Sequence, residues 1–269
     1  MSYWTDKTAL VTGGSAGLGL ALARTLVSEG ARVAICGRGL DRLEKAADGL
    51  RGLGGEVLTI AADVAQPGET RRAVDAAAEH FGGLDIACCC AGESMRGDVV
   101  TTPRARFEEL MAVNFLAAVD MTHAAGPLLE AAEGHLVLIG SLASKFAPRY
   151  LGAYPASKHA VAALAQQVRL ERGPEGLHVL LVCPGPIART DGGQRYQQQT
   201  EGLPEEANRP GGGANVRAIA PDALSRKILS ACEGRMPELV IPGKARILAA
   251  LTQLSPKWGD KILRKQTGG

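Results

Sequence analysis

Seven short apolar runs that do not alternate with polar residues constrain this chain more than any other feature. They read TALVT (8–12), RVAIC (32–36), EVLTIA (56–61), DIACCC (85–90), HLVLIG (135–140), HVLLVC (178–183) and ELVIP (238–242). A strand with one solvated face alternates, so a continuous apolar strand needs cover on both faces, as in a parallel sheet between two helical layers. Most of the intervening segments can supply that cover. Leu18, Ala21, Leu22 and Leu26 recur at helical spacing after the first run, and Val74, Ala77, Ala78 and Phe81 after the third. The β-α-β-α order predicts an α/β fold: a doubly wound parallel sheet of about seven strands with helices on both faces.

No boundary or repeat interrupts this pattern, so residues 1–243 are expected to form a single domain. The stretch 184–217 is irregular and rich in Pro, Gly, Gln and Arg, which suggests a substrate lid. No apolar run precedes the first strand and no window reaches the roughly 18 residues of a membrane span, so a cytoplasmic location is expected. Six cysteines, three of them consecutive at Cys88, Cys89 and Cys90, do not make a disulfide framework, because neighbours on one strand cannot pair in ordinary disulfide geometry. The histidines at 80, 123, 135, 159 and 178 share no spacing pattern. They receive no catalytic role, and no metal site is expected.

Net charge is +2, unevenly placed: from Lys244 onward six basic residues face one acid, a net of +5, which leaves −3 on residues 1–243. With aromatics at 4%, a nucleic-acid surface of basic residues interleaved with rings is not expected. Residues 244–269 instead read as a basic amphipathic tail. Ile247, Leu248, Leu251 and Leu254 form one stripe, and Trp258, Ile262 and Leu263 sit among Lys257, Lys261, Arg264 and Lys265. Such a tail suits packing on the body or on a partner subunit, or a weak contact with an anionic membrane surface.

The first run leads into TGGSAGLG, with glycines at 13, 14, 17 and 19. Glycine permits a tight turn and lets backbone approach a pyrophosphate at a helix N-terminus, although a plain strand-to-helix connection uses the same residues. At the end of the second run stand Gly37 and Arg38. Without an acid there, a guanidinium can hold a ribose 2′-phosphate by charge-assisted hydrogen bonds, which points to NADP, with NAD the alternative. Tyr154 and Lys158 lie four residues apart, on one face of a helix if the segment is helical.

Thr12 to Gly19 read as T-G-x-x-x-G-x-G and Tyr154-x-x-x-Lys158 within YPASK; in the same order come ADV (62–64), CCAG (89–92), VNFLA (113–117), IGS (139–141) and CPGPIART (183–190). Together, over roughly residues 7–243, these resemble the short-chain dehydrogenase/reductase family and its single-domain Rossmann fold. The resemblance implies a catalytic set of Asn114, Ser141, Tyr154 and Lys158. Tyr154 would be the proton donor and Lys158 would stabilise its phenolate and hold the nicotinamide ribose. Ser141 would hydrogen-bond the substrate oxygen, and Asn114 would support Lys158 through a water. It implies a cofactor site of Gly13, Ser15, Gly17, Leu18, Gly19, Arg38, Asp63, Val64, Cys90, Ala91, Gly92, Tyr154 and Lys158. Pro184, Gly185, Ile187 and Thr190 would cover the nicotinamide.

Cys89-Cys90-Ala91-Gly92 stands where the family has Asn-Asn-Ala-Gly. The cysteines are read as small residues packing a buried strand, rather than as reactive thiols or metal ligands, and the asparagine's amide hydrogen bonds are absent. The implied reaction is hydride transfer between NADP(H) and a carbonyl or secondary alcohol. Leu142, Ala143, Phe146, Pro148 and Leu151 favour a hydrophobic, lipid-like ketone, while Arg149 and the Arg/Gln-rich lid could meet an acidic group. A homodimer or homotetramer through helices near 103–130 and 154–172 is also implied. The alternatives are a catalytically silent nucleotide sensor on the same fold and a membrane-peripheral scaffold.

Overall fold

The structure, a computed structural model, describes residues 1–189, 196, 199–209 and 216–267. Seven parallel strands form one sheet in the order β3-β2-β1-β4-β5-β6-β7. They are β1 (Thr8–Thr12), β2 (Arg32–Gly37), β3 (Val57–Ala61), β4 (Ile86–Cys89), β5 (His135–Ile139), β6 (His178–Pro184) and β7 (Glu238–Ile241). The helices are α1 (Gly17–Ser28), α2 (Leu40–Arg51), α3 (Glu69–Phe81), α4 (Arg104–Met111), α5 (Ala117–Ala131), α6 (Tyr154–Arg172), α7 (Pro221–Glu233), α8 (Ala245–Leu254) and α9 (Pro256–Gln266).

The continuous apolar runs are explained by two cores that share the sheet. Leu10, Ala34, Cys36, Ala87, Leu136 and Leu181 point into the core capped by α3, α5 and α6. Their strand neighbours Val11, Ile35, Cys88, Val137 and Leu180 point into the core capped by α1, α2 and α7. Each large side chain so buried contributes about 1.5–3 kcal/mol, which is why neither face tolerates a polar row. Cys88 lies in one core while Cys89 packs against the other and Cys90 against the first again.

The strand order reverses between β1 and β4, and ligand crevices in open α/β sheets form at the carboxyl edge of such a switch point. Here Thr12 staples the two strands, its hydroxyl donating to the Cys88 carbonyl at 3.3 Å and accepting the Ala91 N–H at 3.1 Å. This side-chain bond supports the turn after β4 where the family's asparagine is replaced by cysteine. Between α4 and α5 the chain makes a π-helical turn at Ala112–Leu116, a wide turn frequent at functional positions.

Candidate active site

The glycine-rich turn runs from β1 into α1 under tight packing. A Cβ on Gly19 would stand 2.3 Å from the Gly13 carbonyl oxygen, and one on Gly14 would stand 2.6 Å from Ile35 Cβ. Gly13 and Gly17 have φ of +67° and +56°, and a Cβ on Gly17 would meet nothing within 4 Å. That combination leaves an open cradle of backbone beside the N-terminus of α1, suited to a pyrophosphate. Leu18 is buried beneath it.

At the end of β2, Arg38 is exposed and joins no ion pair among the described residues. Ser15 reaches the same corner: a Cβ on Gly37 would lie 3.8 Å from its hydroxyl. Past β3, the Asp63 carboxylate accepts the Ala65 N–H at 3.2 Å and Val64 is buried, which fixes that loop. Arg38 and Ser15 are donors that fit a dinucleotide whose ribose carries a 2′-phosphate.

Beyond β4, Asn114 is buried within the π-helical turn. Its Oδ1 accepts the Glu93 N–H at 2.9 Å, and its Nδ2 donates to the Glu93 carbonyl at 2.8 Å and the Ser157 hydroxyl at 3.0 Å. A Cβ on Gly92 would lie 2.8 Å from Asn114 Oδ1 and 3.6 Å from Lys158 Nζ, so Gly92, Asn114 and Lys158 converge. Lys158, also buried, donates from Nζ to the Ile139 carbonyl at 2.8 Å. Desolvation brings its pKa down to about 8.

Tyr154 opens α6, with Lys158 Nζ 6.0 Å from its ring centroid. Burial raises the phenol's pKa, opposed by a hydrogen bond with Ser141 and by the Arg96 charge. The expected lowering by Lys158 is not what dominates here, because the ammonium is turned to the Ile139 carbonyl. Ser141 follows β5 and caps a 3-10 turn at Leu142–Ser144, its hydroxyl accepting the Ala143 N–H at 3.1 Å.

At the end of β6, Pro184 is buried, and the Gly185 N–H donates to the Ile241 carbonyl at 2.7 Å. Ile187 bridges to Ile219. Thr190 lies outside the described residues. Burial pushes the Cys89 thiol up to about 12 and the Cys88 and Cys90 thiols up as well, which suppresses the thiolate that reactivity or metal binding needs.

Four residues of this region, Ser94, Arg96, Tyr196 and Gln199, escape sequence reasoning. Arg96 is buried, stacks 4.2 Å from the Tyr196 ring centroid, and donates from Nε to the Ala207 carbonyl at 3.0 Å. Tyr196 in turn hydrogen-bonds Ser94, and the Arg96 N–H donates to Gln199 Oε1 at 2.8 Å. These contacts pin part of the stretch expected to be a lid onto the loop after β4. They span about a hundred positions, and no local spacing could announce them.

At the opposite, amino end of the sheet, the fold gathers His135, His178 and Cys232, with ligand-capable atoms within 4.8 Å of one another. The two histidines bond each other at 2.8 Å between Nδ1 atoms. A cleft of about 590 Å³ is lined in part by Pro148, Arg149 and Leu151 before α6 and by Pro155 and His159 within it. No described helix is long and apolar enough to cross a membrane.

A glycine betaine reductase, ATRR, from Emericella nidulans is 37% identical over 185 residues, covering 68% of this chain but 15% of that protein. The chain thus spans a small part of that relative. D-beta-hydroxybutyrate dehydrogenase from Rhizobium meliloti is 32% identical over 205 residues, 74% of this chain and 80% of the relative. Among solved structures, a short chain dehydrogenase from Burkholderia cenocepacia in complex with NADP superposes with a TM-score of 0.78 at 30% identity, covering 90% of this chain and 99% of the other. The family model described as short chain dehydrogenase matches residues 7–201, and the chain belongs to the short-chain dehydrogenases, a family of oxidoreductases.

Proposed function

We propose that this protein reduces a hydrophobic, lipid-like ketone to a secondary alcohol, and runs the reverse oxidation, with NADP(H) in preference to NAD(H). When bound, the cofactor supplies or accepts the hydride. The Gly13–Gly19 turn with Ser15 would hold its pyrophosphate, Arg38 its 2′-phosphate and Asp63–Val64 its adenine. Cys90, Ala91 and Gly92 would line its course, and Pro184, Gly185 and Ile187 its nicotinamide end; Thr190 completes the proposed set. The relative from Burkholderia cenocepacia, which binds NADP, supports this preference.

The observation that carries the reading is the meeting of Tyr154 with Ser141 and of Lys158 with Asn114 and Gly92 at the carboxyl edge of the sheet. As charge develops on the substrate oxygen, Ser141 donates a hydrogen bond to it and Tyr154 gives up its phenolic proton. A phenol whose pKa is raised stays protonated at neutral pH, the state that donation requires. Lys158, within reach of the ring, stabilises the phenolate that remains and holds the nicotinamide ribose. Asn114 fixes the Gly92–Glu93 backbone and the Ser157 hydroxyl, and supports Lys158 through a water.

Buried Leu142, Ala143 and Leu151 and half-buried Phe146 give the neighbouring wall its apolar character. The protein acts in the cytoplasm, as a homodimer or homotetramer through α4, α5 and α6. NADPH oxidation followed against a panel of ketones of increasing chain length tests the reading. Tyr154→Phe should bind NADPH normally and lose turnover by about 10²–10⁴. Turnover near the parent rate in that variant would overturn the mechanism.

A further inference from the structure

The last two helices leave the sheet at its catalytic edge and then stand largely apart from it. Ala245 is buried in the core, and Arg246 donates to the Glu238 carbonyl at 3.0 Å. Beyond that, α9 packs on α8: a Cβ on Gly259 would lie 2.7 Å from Thr252 Cα, which marks a close helix crossing. The break between them falls at Ser255 and Pro256, and Pro256 begins α9.

The outer surface of this hairpin is apolar in a way that the body of the protein does not cover. Ile247 is 67% exposed, Leu251 42%, Leu254 83% and Trp258 64%. Around them Lys244, Arg246, Lys257, Lys261, Arg264 and Lys265 are all exposed. None of these six joins an ion pair among the described residues. Lys261 lies 5.8 Å from the Trp258 ring centroid, which holds a cation beside the ring at its solvent side. Large aliphatic side chains and one tryptophan, flanked by unpaired cations on two short helices, match an interfacial segment of an anionic bilayer.

We infer that the α8–α9 hairpin docks this protein on an anionic lipid surface, with Leu254 and Trp258 entering the headgroup region and the basic residues meeting lipid phosphates. A second copy is the poorer occupant, because a symmetric contact through this face would bring a net +5 tail against another +5 tail. The hairpin follows directly on Ile241, whose carbonyl accepts the Gly185 N–H at 2.7 Å. Docking therefore sets the crevice mouth close to the membrane plane. That last consequence rests on the reading of the crevice as the site for a lipid-like ketone; the docking itself does not.

The test uses the full chain with vesicles of phosphatidylglycerol and phosphatidylcholine, and with phosphatidylcholine alone, by flotation at low and high salt. The chain has two tryptophans, and Trp4 is 1% exposed, so a blue shift of emission on adding vesicles reports Trp258. Binding to the anionic vesicles that is lost at high salt is expected. Each basic residue near such a surface contributes about fivefold, so replacing Lys257, Lys261, Arg264 and Lys265 together by Gln should weaken binding at least about a hundredfold.

Leu254→Asp should also release the protein from vesicles without changing its mass in solution. Failure of the full chain to float at low salt, or equal binding to phosphatidylcholine alone, overturns the proposal. So does a Leu254→Asp variant that keeps vesicle binding while its oligomer dissociates, which would make a second copy the occupant. NADPH oxidation with a water-soluble ketone is run alongside: its absence counts against the catalytic reading and leaves the docking result standing.

Discussion

Lys158 holds its ammonium in a buried site, where it donates a hydrogen bond to the Ile139 backbone carbonyl at 2.8 Å. Burial disfavours the charged form and brings its pKa to about 8. The sign follows directly: the residue is charged below pH 8 and loses its proton as pH rises through that value. If the charge is what stabilises the Tyr154 phenolate, the rate of ketone reduction should fall above about pH 8. Lys158→Arg should remove that descending limb, since a guanidinium does not titrate there, even though overall turnover drops. An unchanged limb in the kcat/KM profile of that variant would assign it to another group. Arg38 offers a second residue-scale measurement. A hydrogen bond to a charged group contributes about 1.5–3 kcal/mol, so Arg38→Asp should weaken NADPH binding roughly ten- to a hundredfold and turn preference toward NADH. Fluorescence titration with both cofactors reads this, and unchanged NADPH affinity would remove Arg38 from the site.

Among the elements, those set by burial were legible and those set by a single hydrogen-bond choice were not. Each of the seven apolar runs corresponds to a strand, because a strand flanked by two cores can carry hardly anything but apolar side chains. The glycine turn and the Tyr154–Lys158 pair were legible through the order in which they come with the other motifs, since the glycines alone fit a plain strand-to-helix connection as well. The π-helical turn around Asn114 was not, since AVNFL differs from ordinary helix only in bonding one residue further along. The tail's two apolar segments were legible as amphipathic. That they would stay uncovered was not, because exposure depends on where the rest of the chain comes to lie. Arg96 illustrates the same limit at the site. Its stacking on Tyr196 and its bond to Ala207 join segments about a hundred residues apart, and an isolated arginine in ESMRGD carries no sign of burial.

On the scale of the whole molecule, β5 and β6 begin with His135 and His178, which the parallel register sets directly opposite each other. Neither histidine drew a role from spacing, since 43 residues separate them. In the fold they form one hydrogen-bonded chain across the amino end of the sheet. The Met236 carbonyl can only accept, so His178 Nε2, at 2.8 Å from it, carries the hydrogen. Neutral His178 then accepts at Nδ1 from His135 Nδ1, which leaves His135 Nε2 to accept from the Tyr3 hydroxyl at 2.8 Å. The chain thereby ties the N-terminal segment and the approach to β7 to β5 and β6. It works only with both rings neutral, and burial lowers both pKa values, that of His135 to about 3. Between about pH 6.5 and 3 the unfolded chain therefore binds a proton that the folded one excludes. The stabilisation is complete above the unfolded value and is lost on acidification, by up to about 1.4 kcal/mol per pH unit for each proton. Asp85, whose pKa burial would raise but Lys7 and Thr8 bring below the usual value, contributes stability that is lost only as pH falls from the unfolded carboxylate value, about 3.9, toward its lower folded one. The span from pH 6.5 to 5 thus isolates the histidines. Urea unfolding across that span should show stability falling with acidification in the parent protein. Replacing His135 and His178 together by Gln should lower stability at pH 7 by about 1–3 kcal/mol through imperfect bonding, yet flatten the dependence on pH. A double variant that keeps the parent slope between pH 5 and 6.5 would show that another buried group takes up the proton.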